Sequence, residues 1–347
     1  SYLLHIYKSV NRMRDSIENS LCKNLLNILF KFDFMEVYKT ILKKILALKP
    51  TESFLIITDE NYEGHAKQLD EAAKKITEST HVEVIPVLSR NGEEPPETAA
   101  GLMEQYDVQF YWTSKSISHT DARRKATSLN KRIISAPTLN EDMLNRCVDI
   151  DYDELIKFHS KLRPAIVSAV NIRITTELGT DINLAVHDTH GNPDELLMDS
   201  PGGFGNLPIG EVDSGIVREK TNGVVYFDGS FPEVGLLEQP IKVNVNNGIG
   251  EIETDSEQAK KLQKMLSEVG KDAFKLAELG IGTNPKAKLT GVVLEDEKVR
   301  KTVHLAFGND LSYNGENNVP IHLDGVIKEP TIDVDGKIIM KKGELTL

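Results

Sequence analysis

The sequence predicts an α/β chain, with a Rossmann-like layered N-terminal domain on a parallel sheet followed by a β-rich mixed C-terminal domain. Three observations carry this. The 347 residues suffice for about two domains of roughly 150 residues each. From about residue 48 to 137, β-branched or aromatic runs alternate with helical patterns, the order of a parallel sheet covered by helices. Beyond residue 165, alternating apolar and polar positions and Gly-containing turns take over. The expected divisions are an extension over 1–34, helical or poorly determined, a layered domain over 35–164 and a β-rich domain over 165–347.

In the layered domain the strand runs are Phe54–Ile57, Val82–Ile85, Val108–Trp112 and Arg132–Ile134, with helices expected at Tyr62–Ser79, Pro96–Gln105 and Asp121–Leu129. The pairs Ser118…Asp121 and Thr138…Glu141 read as capping boxes, in which a hydroxyl satisfies an orphaned helix N–H. A helix from Tyr152 to Leu162 leads through Pro164 into the second domain. There Asn171–Thr175, Asp181–Val186 and Gly223–Phe227 alternate as strands, and Asn246-Asn247-Gly248 and Asp335-Gly336 read as hairpin turns. One long amphipathic helix, capped by Thr254…Glu257 and with Leu262, Leu266, Val269, Ala273 and Leu276 on one face, is expected to stop near Gly280.

Composition limits the function. With 41 basic and 53 acidic side chains the formal charge is −12, which repels phosphate backbones and disfavours nucleic acid as a partner. No apolar run approaches a membrane span of roughly 18 residues. Two cysteines, Cys22 and Cys147, supply neither a disulfide framework nor a four-thiolate site, and the chain reads as cytoplasmic. G-x-G-x-x-G and P-loop motifs are missing, so no nucleotide cofactor is expected.

Metal-ligating chemistry is the remaining signal. In Ile321-His322-Leu323-Asp324 the period of two puts an imidazole and a carboxylate on one strand face, where both can bind a divalent cation. Val303-His304-Leu305-Ala306-Phe307 repeats the pattern, with His304 opposite three apolar neighbours. Glu211 lies in a Gly- and Pro-shaped stretch expected to be a loop. Glu278 falls in the expected last turn of the long helix, where the carbonyl ends disfavour a carboxylate and a bound cation would compensate. His187 and His190 read as a solvated turn, His119 as a surface residue in a cap, and Cys147 as a packed thiol.

Taken in order, Gly210-Glu211-Val212, Leu276-Ala277-Glu278, Asp296-Glu297-Lys298, His304–Gly308 and Ile321–Asp324 resemble the aminopeptidase T / aminopeptidase S family of metallo-aminopeptidases, most strongly over residues 200–340. The resemblance implies a metal-dependent exopeptidase, a hydrolase acting on peptide N-termini and usually a homodimer. It implies that Glu211, Glu278, His304, His322 and Asp324 hold two divalent ions, such as zinc, cobalt or manganese. Glu278 would bridge or shuttle a proton, and Asp213 would meet the substrate amine. Three departures stand out: Ala277 replaces a glycine, the spacing between Asp296-Glu297 and His304 is longer than the family's, and the family's catalytic tyrosine aligns near Leu311, leaving Tyr313 two residues on as its substitute. Dihydroxypyridine dioxygenases are similar over the same region. For them His304, His322 and Asp324 would form a two-histidine, one-carboxylate set for a single iron. An inactive metal-binding homologue is the third reading.

Overall fold

The structure, a computed structural model, describes residues 34–187 and 196–347. The extension expected over 1–34 lies outside the described residues apart from Phe34, which is buried against Tyr38 and His65.

The fold is mixed α/β, with one parallel and one large antiparallel sheet. The parallel sheet contains β1 (Phe54–Thr58), β2 (Thr80–Val84), β3 (Val108–Trp112), β4 (Arg132–Ser135) and β7 (Phe204–Asn206) in the order β2-β1-β3-β4-β7. Parallel neighbours need crossovers, which the helices Glu63–Ala73, Glu97–Gln105 and Asp121–Ser128 provide. Strands β1, β3 and β4 are buried along their whole length, which explains their unbroken apolar runs. β7 belongs in sequence to the second half, and Leu196, Met198, Leu207 and Ile209 enter the first core with it. The chain therefore returns to the first sheet after residue 165.

Each expected helix cap lies two residues later than its capping-box reading. Thr120, Asn140 and Ser256 accept the N–H of Arg123, Met143 and Ala259 respectively. Asp121, Glu141 and Glu257 are then first-turn acids that complement the helix dipole rather than reaching back to a cap. The helix expected to end at Leu162 runs over Tyr152–Val167, with Pro164 on its exposed side.

The antiparallel sheet is built from β5 (Ile172–Thr175), β6 (Asp181–His187), β8 (Glu211–Phe227), β13 (Leu276–Gly282), β14 (Thr302–Gly308), β15 (His322–Lys328), β16 (Thr331–Val334), β17 (Lys337–Lys341) and β18 (Glu344–Leu345). Its order is β15-β14-β13-β8-β6-β5-β16-β17-β18, and the hairpin β11 (Ile241–Asn246) and β12 (Ile249–Ile252) pairs onto β8. The small hairpin β9 (Ser230–Phe231) and β10 (Gly235–Leu236) stands apart. Asn247-Gly248 and Asp335-Gly336 both have positive φ, the geometry that tightens two-residue hairpins. Val303, Leu305 and Phe307 enter one core with Phe227, Phe231, Leu279 and Ile281.

The long helix is shorter than its pattern suggests. It covers Glu257–Val269 and stops at Gly270, whose φ of 122° breaks it; residues 276–282 then form β13. Glu278 is therefore a strand residue and not a helix-end carboxylate. Because β13 is buried throughout, no polar alternation marks it as a strand. Glu211 is likewise the first residue of β8 rather than a loop residue. Among the described residues no helix is long and apolar enough to cross a membrane.

The two sheets are joined by buried polar contacts. Arg146 Nη1 lies 2.5 Å from Glu295 Oε1, and Asn284 Nδ2 donates to the carbonyls of Cys147 at 3.0 Å and Ile209 at 2.7 Å. His159 Nε2 stands 2.7 Å from Thr283 Oγ1 just beyond β13, and burial pushes its pKa from 6.5 down to about 3. Between those values the unfolded chain takes up a proton that the folded chain refuses, so stability falls as pH falls. The slope for this group is about 1.4 kcal/mol per pH unit. Denaturant unfolding of wild type and His159→Gln across that range is expected to show a shallower decline in the variant; parallel curves would contradict it.

Candidate metal centre

Register on the open face of the antiparallel sheet assembles the centre. β13 pairs with β8 so that Glu278 faces Gly215, Gly280 faces Asp213 and Gly282 faces Glu211. It pairs with β14 so that Glu278 faces Ala306 and Gly280 faces His304, and β14 pairs with β15 so that Ala306 faces Asp324 and Gly308 faces His322. Directly opposed residues share a face, so Glu211, Asp213, Glu278, His304, His322 and Asp324 all project from one side. Apart from Val326, which faces His304 from β15, their opposite numbers are glycine or alanine. This leaves room for the functional side chains: a Cβ on Gly280 would collide with the His304 ring, and one on Gly215 would come within 2.9 Å of His187 and Tyr313.

Glu278 is the hub, only 3% exposed. Its Oε1 lies 3.2 Å from His304 Nε2 and its Oε2 lies 2.9 Å from His322 Nε2. His322 Nε2 is also 3.2 Å from Asp324 Oδ1, and His304 Nε2 is 3.6 Å from Glu211 Oε2. Two compact donor groups result, Glu211–Glu278–His304 and Glu278–His322–Asp324, sharing Glu278. The triad His304, His322 and Asp324 is not one of these compact groups; each holds one imidazole and two carboxylates. Burial alone would raise the Glu278 pKa, but the two imidazoles hold it well below the usual carboxylate range.

The donors suit a hard or borderline divalent cation. His322 Nδ1 donates to the carbonyl of Asn309 at 2.7 Å, which fixes the ring and turns Nε2 toward the carboxylates. A neutral ring held this way points a lone pair at two anionic oxygens, an arrangement relieved by a proton or by a metal ion. Without an ion the proton takes that role: burial would depress both imidazoles, yet the surrounding carboxylates hold His322 well above its ordinary pKa and raise His304 to about 9.

Tyr313 turns into the centre from the short helical turn Leu311–Tyr313, while Leu311, the position aligned with the family tyrosine, is 38% exposed. Tyr313 Oη donates to Asp213 Oδ2 at 2.9 Å, and the Tyr313 carbonyl accepts from His187 Nε2 at 2.8 Å. Burial and the Asp213 carboxylate hold the phenol well above its ordinary pKa, so it stays protonated.

Sequence reasoning missed three participants. His119 is exposed, as its place in a cap suggests, but its ring stacks on His322 with centroids 6.1 Å apart and planes inclined by 29°, and its Nδ1 is 3.3 Å from Ser312 Oγ. It follows β3, and the carboxyl ends of parallel strands are where such folds gather functional groups. His187, read as solvated, instead supports Tyr313; His190 lies outside the described residues. Lys298, buried and paired with Glu211 and Glu297, is the third.

A family model described as NicX, 2,5-dihydroxypyridine 5,6-dioxygenase, matches residues 33–347. The chain belongs to the NicX family. Among solved structures, the 2,5-dihydroxypyridine dioxygenase of Pseudomonas putida KT2440 superposes with a TM-score of 0.77 at 15% identity, over 90% of this chain and 96% of that one. AmpT of Thermus thermophilus superposes with a TM-score of 0.67 at 15% identity, over 92% of this chain and all of that one (100%). No curated protein sequence matches. The aminopeptidase-like fold is thus present, but the metallo-exopeptidase expectation is overturned: membership of a family described as a dioxygenase points to an oxygenase rather than a hydrolase. Strand residues that can hold a cation are common to both chemistries, so motif resemblance alone selected the wrong one.

Since Glu278 belongs to both donor groups, Glu278→Gln is expected to weaken divalent-metal binding on the order of 100-fold or more. Elemental analysis of protein purified without chelator checks this, with thermal unfolding as the control for folding. Undiminished metal content in a folded variant would remove Glu278 from the centre.

Proposed function

We propose that this protein is an iron-dependent dioxygenase that opens a dihydroxylated pyridine ring. The observation that carries the reading is NicX family membership across residues 33–347, and the buried carboxylate–imidazole centre supports it. Glu278, His322 and Asp324, with His304 and Glu211 beside them, would hold the ion. Imidazole and carboxylate donors without thiolate are compatible with Fe(II). A ferrous ion there supplies redox reactivity toward O2, which protein side chains lack.

The chain's own residues would do the rest. The planar rings of His119 and Tyr313 each stack on His322, with centroids 6.1 and 6.2 Å away, and would offer flat surfaces to an aromatic substrate. Tyr313 Oη, already donating to Asp213, can accept a hydrogen bond from a substrate hydroxyl and pass a proton toward that carboxylate. The apolar face of the sheet lies behind the centre and excludes water from its floor. In the balanced reaction the C5–C6 bond breaks and both atoms of O2 remain in the product. The substrate supplies the electrons, and no further reductant is needed.

The test is anaerobic reconstitution with Fe(II), then addition of 2,5-dihydroxypyridine and isotopically heavy O2. The expected result is equimolar consumption of O2 and substrate, loss of the aromatic absorption and two heavy oxygens per product. Failure to consume O2 by iron-loaded protein, or a single heavy atom in the product, would contradict the reading.

A further inference from the structure

One short stretch between β14 and β15 touches both the ion-holding and the aromatic groups of the centre, although it supplies no donor itself. The Asn309 carbonyl anchors His322 Nδ1, Ser312 Oγ meets His119 Nδ1, and Tyr313 reaches Asp213 through its phenol and His187 through its carbonyl. Connecting segments are ordinarily more mobile than the strands they join, so this one needs a brace to aim three groups at once. Asp310 is at the middle of such a brace. Its carbonyl accepts the N–H of Tyr313 at 2.9 Å and of Gly315 at 3.0 Å, and its own N–H donates to the Asn317 carbonyl at 3.2 Å. Its side chain is buried, accepts the Asn317 N–H at Oδ1 over 2.7 Å and pairs through Oδ2 with Arg218 Nη1 on β8. Asn317 Nδ2 in turn donates to the carbonyls of Gly308 at 2.6 Å and Asp272 at 2.9 Å, which closes the base of the loop. The helical turn that starts after Asp310 brings Tyr313 inward and leaves Leu311 outside.

We propose that Asp310, clamped by Arg218, is a positioning residue that sets the His322 ring and the Tyr313 phenol together. Neither residue belongs to a donor group, so both act through the loop. Loosening the clamp frees the Asn309 carbonyl from His322 and Tyr313 from Asp213, so ion binding and turnover weaken together. Gly315 shows how closely the carboxylate is seated, since a Cβ there would fall on it. Gly315→Ala therefore turns that carboxylate away from Arg218 and Asn317 without touching a donor. The inference deepens the proposed function and rests on its metal centre.

The experiment combines amide hydrogen exchange of metal-free protein with anaerobic Fe(II) titration and turnover of 2,5-dihydroxypyridine. Asp310→Asn leaves one acceptor oxygen for two donors, and Gly315→Ala displaces the carboxylate. In both, the amides of Tyr313, Gly315 and Asn317 are expected to exchange about tenfold faster or more, while those of β13, β14 and β15 keep their wild-type rates. Iron affinity and kcat are each expected to fall roughly 10- to 100-fold. Arg218→Met is expected to do the same. Arg218→Lys is expected to restore wild-type behaviour, because the pair uses a single guanidinium nitrogen that an ammonium can replace. Tyr313→Phe, which removes the phenol alone, is expected to lower kcat with loop exchange and iron affinity unchanged. Unchanged exchange or unchanged iron affinity in the folded Asp310→Asn and Gly315→Ala variants, faster exchange spread evenly through the three strands, or an Arg218→Lys no better than Arg218→Met would overturn the role. Wild type that binds iron without consuming O2 would remove the oxygenase reading alone, since exchange and iron affinity still decide the positioning role. No iron binding by wild type would remove the metal centre and this inference with it.

Discussion

A buried carboxylate held between imidazoles from two different strands is the interaction on which the second half of the chain depends. Glu278 can sit there because β8, β13, β14 and β15 are locked in one antiparallel register, and a slip of one residue would turn every donor into the apolar core. The core enforces that register. Val303, Leu305 and Phe307 alternate with His304 and Ala306, so the packing that buries the first set aims the second. The small residues opposite the donors complete the arrangement: Gly215, Gly280 and Ala306 give up side-chain volume so that the functional groups can meet.

The centre also depends on the parallel sheet. His119 arrives from the loop after β3, and Ser312, next to Tyr313, meets it from the segment between β14 and β15. Buried contacts such as Arg146–Glu295 and the double donation by Asn284 hold the two halves in fixed relation, and β7 ties the later chain back into the first sheet. The parallel sheet is thus more than a support, since one of its loops supplies a ring that stacks on His322.

Much of this was legible in the sequence. The spacing of His322 and Asp324, and of His304 among its apolar neighbours, gave the correct faces because period-two alternation survives on a sheet with one polar side. Glu278 was misplaced because β13 is buried on both faces, and its apolar residues extend the periodicity of the preceding helix past Gly270. The caps were displaced because an acid three residues after a hydroxyl also fits a first-turn position. His119 carries no local pattern, and the run Asp296-Glu297-Lys298 does not reveal that the lysine meets Glu211; Ser312, His322 and Glu211 lie far along the chain from these residues and become partners only when the fold brings them together. The choice of chemistry was out of reach for a related reason. The same carboxylates and imidazoles serve peptide hydrolysis and ring opening, and what separates the two is the ion and the substrate.

The central claim is that Glu278, His322 and Asp324 converge on one divalent ion. Anomalous diffraction at the iron absorption edge, from crystals grown anaerobically with Fe(II), tests it most directly. The account predicts a peak within coordination distance of all three side chains, with His322 Nε2 turned from its carboxylate partners to the ion. An iron peak remote from Glu278, with both imidazoles still hydrogen-bonded to its carboxylate, would contradict it.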